Sequence, residues 1–265
     1  MLHRLKAICT ALMICSTLSA PVAAEPVLKT LRTADENRGW EAVGRLNFGQ
    51  QGFCTASLIT ADIVITAAHC LFNKDTGERI PVERIEFQAG LRFGRAEAYR
   101  GIRRVVLHPN YDYFRADGLD RVGSDLAILE LDRPIRNGYV RPFRTEQNIA
   151  MGQTVQVVSY ARERSDAPSR QDSCDVLTRD HAILVLSCAV DFGASGSPVF
   201  SIIDGEPRIV SIISAKAEWQ GQPVALAAAM EGELDVLISE LARTPALRPV
   251  GKTVRVNDPV ETNSN

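Results

Sequence analysis

Short apolar runs separated by turn residues are the feature of this chain that most constrains its fold. Runs rich in Val, Ile, Leu and Ala occupy 42–48, 56–60, 63–67, 84–89, 102–107 and 126–131 in the first half, then 155–160, 182–187, 198–203, 208–214 and 224–229 in the second. Gly, Asp, Asn and Pro lie between them. Many short strands with frequent turn signals point to an all-β sandwich or barrel and away from βαβ units. One helix is expected near the end, over 231–243, where Leu234, Leu237, Ile238 and Leu241 form one apolar face opposite Glu233, Glu240 and Arg243. The join between the halves is expected near 134–152, which carries Gly and Pro punctuation.

The chain has 265 residues, 45% of them hydrophobic and 23% charged, which fits one large or two small globular domains. Its first 24 residues read as a secretory signal: His3, Arg4 and Lys6, then an apolar stretch over 7–18, then Val22-Ala23-Ala24 before an expected mature start at Glu25. The apolar run is short for a membrane span. Removing Arg4 and Lys6 with the signal takes the formal charge from −2 to −4. A mildly acidic body without a clustered basic face gives no reason to expect nucleic acid or anionic lipid as partner.

Signal cleavage also removes Cys9 and Cys15 and leaves Cys54, Cys70, Cys174 and Cys188. An even count in an oxidising compartment suggests two disulfides, and four cysteines allow three pairings. Zinc is the rival use, but no CxxC or paired His-Cys spacing supports it.

Three segments set a reactive residue at the end of, or just after, a strand-like run. The first is Thr66-Ala67-Ala68-His69-Cys70, the second Ser124-Asp125-Leu126-Ala127, the third Gly193-Ala194-Ser195-Gly196-Ser197-Pro198. Each has an ordinary structural explanation alone: a histidine among small residues, an aspartate capping a strand, a Gly-Ser surface loop. Together they supply what acyl transfer needs. A histidine takes the serine proton, a carboxylate fixes its tautomer, and glycines leave backbone N–H groups free to converge on an oxyanion.

That order, with His108-Pro109-Asn110-Tyr111 ahead of the aspartate, resembles the chymotrypsin/trypsin serine protease family from about Trp40 to Arg243. The resemblance implies two antiparallel six-stranded β-barrels, 39–140 with His69 and Asp125 and 141–243 with Ser195 and the closing helix. A lead at 25–38 and a flexible tail at 244–265 flank them. It implies His69, Asp125 and Ser195 as catalytic residues and the N–H groups of Gly193 and Ser195 as the oxyanion hole. It also implies a protein or peptide substrate, a monomer, and no metal or organic cofactor. The pairings Cys54 with Cys70 and Cys174 with Cys188 follow from the same resemblance, the first as the family's histidine-loop bridge; the second has no usual vertebrate counterpart.

The chain departs from the animal trypsins at several points. Ala194 stands where they carry an aspartate that pairs with a new N-terminus, and no Ile-Val-Gly-Gly start precedes Trp40. No zymogen switch of that kind is expected, so the oxyanion loop must be held by other contacts. Gly-Ala-Ser-Gly-Ser-Pro instead looks like bacterial secreted members, including the glutamyl endopeptidase-like group. Ala189, six residues before Ser195, replaces the aspartate that binds Arg or Lys. Phe192, Ser214 and Lys216 complete the expected substrate-binding set; Lys216, in place of a common glycine, would narrow the pocket or favour an acidic substrate, and simple solvation of its ammonium is the expectation. Asn73, Asp75 and Glu78 sit where some relatives bind calcium, and a polar loop explains them equally well. Two rivals stand beside an endopeptidase: a catalytically silent binding protein of the cell envelope, and another acyl hydrolase. The α/β-hydrolases run Ser, Asp, His along the chain, whereas the order here is His, Asp, Ser.

Overall fold

The computed structural model describes residues 28–115 and 118–245; the expected signal at 1–24 and the tail from 246 on lie outside them. The chain begins with a short strand β1 (Leu28–Thr30) and a helical turn α1 (Ala34–Asn37). Six antiparallel strands then close a barrel in the order β2-β3-β4-β7-β6-β5. They are β2 (Val43–Asn47), β3 (Phe53–Leu58), β4 (Ile63–Thr66), β5 (Glu86–Ala89), β6 (Ala98–Leu107) and β7 (Ala127–Leu131). Full closure leaves no unpaired edge, which is how so short a set of strands avoids sticky backbone. Helix α2 (Leu119–Gly123) leads into β7. Every residue of β7 is buried, Glu130 included. That carboxylate is tolerated because Arg103 donates to it at 3.0 Å and Arg104 joins it from β6.

After β8 (Arg144–Thr145) the second half repeats the architecture with β9 (Thr154–Ala161), β10 (Arg164–Asp180), β11 (Ile183–Leu186), β12 (Pro198–Ile203), β13 (Glu206–Trp219) and β14 (Gln222–Ala229). They follow the order β10-β11-β14-β13-β12-β9, and pairing of β9 with β10 brings the ends together. The expected pair of six-stranded barrels is what the chain forms. Helix α3 (Glu233–Arg243) closes it, within the expected 231–243.

Three expectations need correcting. The strand-like runs omit β10, the longest strand, because its seventeen residues carry Pro168 and seven charged side chains. Its register shifts twice against β9, so no simple alternation marks its buried face. The lead at 25–38 is more than a polar approach to the barrel. β1 pairs with β10, Leu31 is buried and donates its N–H to Pro168 O at 2.8 Å, and Thr33 and Glu36 form a reciprocal cap on α1. On α3, Leu234, Leu237 and Leu241 are buried, but Ile238 is 41% exposed. The apolar stripe is one residue narrower than its spacing implies.

One apolar cluster fills the first barrel and continues through Trp40, Tyr160, Phe200 and α3, while a second fills the interior of the other barrel. Trp40 and Phe143 both meet the ring of Phe200, at 5.0 and 4.6 Å, and so join the barrels on one side. His108 is buried beneath α3 with its Nε2 2.6 Å from Glu233.

Candidate active site

The fully buried Ile63-Val64-Ile65-Thr66 strand carries the chain out of the first barrel, and Ala67 and Ala68, both wholly buried, turn it into a 3-10 helix over Ala68–Leu71. That turn presents His69. Cys70, next to it, is joined to Cys54 on β3. The donor atoms of Cys54, His69 and Cys70 lie within 4.8 Å of one another. They do not make a metal site, because both sulfurs are spent in the disulfide and no thiolate remains to hold an ion. Removing the bridge by Cys54→Ser with Cys70→Ser should lower unfolding free energy by about 3 kcal/mol, read from denaturant midpoints.

Asp125 sits two residues past α2, its N–H donating to Val122 O at 3.1 Å, and it is 3% exposed. Its carboxylate is fully engaged. Oδ1 accepts the backbone N–H of His69 at 2.8 Å, and Oδ2 lies 2.6 Å from His69 Nδ1 and accepts the Ser214 hydroxyl at 2.5 Å. Burial pushes the Asp125 carboxyl upward, but His69 and these donors outweigh it and hold the group below the usual carboxylate range. Burial likewise depresses the His69 imidazole, and the Asp125 charge and hydrogen bond outweigh that and lift it above an ordinary histidine. Arg121 acts against the lift through its own charge.

Ser195 lines a cleft of about 780 Å³ together with His69 and Asp125. The loop that carries it is pinned from both barrels. Thr55 on β3 donates its N–H to Ser195 O at 2.9 Å and its hydroxyl to Gly193 O at 2.9 Å, while Gly196 N reaches Ile213 O on β13 at 2.8 Å. Glycine is required at 193, where φ is +96° and a Cβ would stand 2.5 Å from the Phe53 ring. Two peptide planes are thereby oriented. Phe192 O accepts Arg162 N–H at 2.8 Å and Ala194 O accepts Ser197 N–H at 3.0 Å. In a trans peptide the next N–H points the opposite way, so the amides of Gly193 and Ser195 face away from those bonds. Among the described residues neither amide donates to a protein acceptor.

The substrate-side residues divide. Ser214, Lys216 and Phe192 line the cleft, with Ser214 also holding Asp125. Ala189 does not: it is exposed, with its N–H on Gln171 Oε1 at 2.9 Å, and Val190 occupies the wall. Lys216 is not simply solvated. Its ammonium is 3.5 Å from Asp191 Oδ1 and 4.3 Å from the Phe192 ring centroid. The second disulfide joins Cys174 of β10 to Cys188, just ahead of this wall. Asn73 Oδ1 is taken up by the N–H groups of Asp75 and Thr76, a turn explained without an ion. Lys74, Tyr113, Leu119 and Arg121 also line the cleft, and no sequence motif marks them. Nor does one mark Thr55, since a threonine inside an apolar strand carries no signal that it will bridge two barrels.

Comparison with known proteins agrees with this architecture. Coagulation factor IX of Cavia porcellus is 30% identical over 108 residues, covering 39% of this chain and 33% of that protein. Trypsin-2 of Salmo salar is 30% identical over 115 residues, covering 43% of this chain and 44% of that protein. The chain therefore spans less than half the length of the curated relatives it matches. A solved structure titled as a Glu endopeptidase in complex with MPD overlays with a TM-score of 0.67 at 16% identity, over 84% of this chain and 100% of that one, which is a likeness of fold. Among the described residues no helix is long and apolar enough to cross a membrane. The Trypsin family model matches residues 32–218, most of the chain, and the chain belongs to that family.

Proposed function

We propose that this chain is a secreted serine endopeptidase in which Ser195 is the nucleophile, His69 the general base and Asp125 the residue that orients and charges the histidine. The observation that carries the reading is the 2.6 Å contact between His69 Nδ1 and a buried, fully hydrogen-bonded Asp125, in the cleft that Ser195 lines. With Nδ1 holding its proton toward Asp125, Nε2 is left as the basic atom. Ser195 Oγ adds to the peptide carbonyl carbon as its proton passes to Nε2. The carbonyl oxygen becomes an oxyanion and receives N–H bonds from Gly193 and Ser195. Collapse expels the amine, which leaves with the proton from Nε2, and a water molecule then hydrolyses the acyl-enzyme by the same route reversed. The names of the similar proteins, trypsin and Glu endopeptidase, agree with peptide-bond hydrolysis. Two disulfides and the signal-like start support export to an oxidising compartment.

A fluorophosphonate probe tests the assignment directly. The mature protein is expected to be labelled on Ser195, and Ser195→Ala to take no label. Absence of Ser195-dependent labelling in a folded, disulfide-bonded sample would overturn it in favour of a silent binding protein.

A further inference from the structure

The oxyanion amides are useful only while the peptide planes around Phe192 keep their orientation, and the cleft side of that loop is the less protected one. Its far side is tied to buried Thr55, whose N–H and hydroxyl bond Ser195 O and Gly193 O, and to the Arg162 N–H, which bonds Phe192 O. Asp191 and Phe192 stand at the surface, where water competes for every hydrogen bond. What holds them is a cluster of charges. Asp191 Oδ1 accepts the Phe192 N–H at 2.7 Å, and Asp191 O accepts the Ala194 N–H at 2.9 Å. The same carboxylate faces Lys216 of β13 at 3.5 Å. The Phe192 ring lies under two cations, Lys216 at 4.3 Å and the Arg162 guanidinium at 5.2 Å from its centroid. Arg164 feels Asp191 too, as the charge that opposes its desolvation.

We propose that Asp191 is a positioning residue for the oxyanion loop, and that Lys216 and Arg162 are the cations that hold it and Phe192 in place. The proposal rests on the serine-protease reading above. Asp191 locks the peptide preceding Phe192 through that residue's N–H, and Arg162 locks the one following it through that residue's carbonyl. Together they set the direction of the Gly193 amide. The brace needs no freed N-terminus, which accounts for a loop built around Ala194, a residue without charge and wholly buried. Lys216 also links the loop to β13, whose Ser214 holds Asp125, so the two halves of the reacting geometry share one strand. An ion pair this exposed is weak in water. Peptide in the cleft excludes water from it and strengthens it while the oxyanion forms. The brace therefore acts on the turnover step more than on ground-state binding.

The test is steady-state kinetics on the mature protein with a fluorogenic peptide, beside inhibition by the matching peptide boronate, whose tetrahedral adduct reads the oxyanion site. Asp191→Ala is expected to lower kcat about tenfold with KM within about twofold, and to weaken the boronate in parallel. Asp191→Asn keeps the acceptor for Phe192 N–H but loses the charge, and is expected to fall between it and wild type. Lys216→Ala is expected to lower kcat, and Lys216→Arg to restore it. Because bound peptide shields the pair, added NaCl should leave wild-type kcat, like that of Asp191→Asn, nearly unchanged. A rise in KM at constant kcat, or a lowered melting temperature with kcat and boronate affinity intact, overturns the proposal while the protease reading stands. A wild-type protein that takes no fluorophosphonate label overturns both.

Discussion

Asp125→Asn is expected to reduce kcat by about 10⁴-fold while the protein remains folded. The carboxylate accepts three hydrogen bonds, from the backbone N–H of His69, its ring Nδ1 and the Ser214 hydroxyl. Asparagine can still accept with its oxygen, but its NH₂ group must face one of these donors. The ring then turns its tautomer over, and Nε2 carries a proton where a base is required. A pH profile adds a second signature. His69 must be neutral to act, so activity rises as pH climbs through its pKa. Burial depresses that pKa and the Asp125 charge more than restores it, which places the wild-type acid limb above that of an ordinary histidine. Without the charge, burial and Arg121 act unopposed, and the residual activity of Asp125→Asn should show its acid limb at lower pH. An unchanged limb, or a loss smaller than about tenfold, would contradict the role given to Asp125.

The three segments of the proposed triad are legible in the sequence because each is a short local stretch. A histidine in a run of small residues, an aspartate leading an apolar strand and a serine between glycines each have an ordinary explanation alone, and it is their occurrence together in the order His, Asp, Ser that carries the signal. The barrels are legible for a similar reason, since inward-facing Val, Ile and Leu recur in nearly every strand. What stays hidden depends on partners far along the chain. β10 is a strand because β9, β11 and β1 supply hydrogen-bond partners, while its own residues are mostly polar. Thr55 matters because residues 193 and 195 return to it from more than a hundred positions away. Counting back from Ser195 leads to Ala189 as the pocket wall, but the chain reaches the cleft one residue later, at Val190, after the Ala189 N–H is drawn away to Gln171. Lys216 looks like a solvated lysine in the sequence because its two companions, Asp191 and Phe192, lie on a different strand connection.

Among the described glycines, Gly196 is the one where an added Cβ meets the tightest contact, and Gly196→Ala is expected to be strongly destabilising. Gly196 has φ of +77°, and a Cβ there would lie 2.1 Å from Thr66 Oγ1 and 2.3 Å from Thr55 O. These two atoms are already hydrogen-bonded to each other at 2.8 Å, so the methyl group would enter a bond that joins β3 to β4 beside their ladder. A left-handed alanine costs roughly 1–2 kcal/mol, and overpacking against a fixed backbone atom adds about 1–3 kcal/mol. The expected loss is therefore about 4 kcal/mol, measured by denaturant unfolding. Gly205 provides the control: its φ is +78° but nothing stands within 4 Å of a Cβ, so Gly205→Ala should cost only the conformational part, about 1 kcal/mol. The difference between the two isolates the steric contact with the first barrel. Activity should follow the same contact. Thr55 holds both Gly193 and Ser195, so any retreat of β3 from Gly196 moves the proposed nucleophile and oxyanion amides together, and a displacement of about 1 Å should lower kcat by about 10²-fold. Equal stability and equal kcat for the two alanine variants would show that the loop relaxes away from Thr66 without cost, and that the first barrel does not set the position of Ser195.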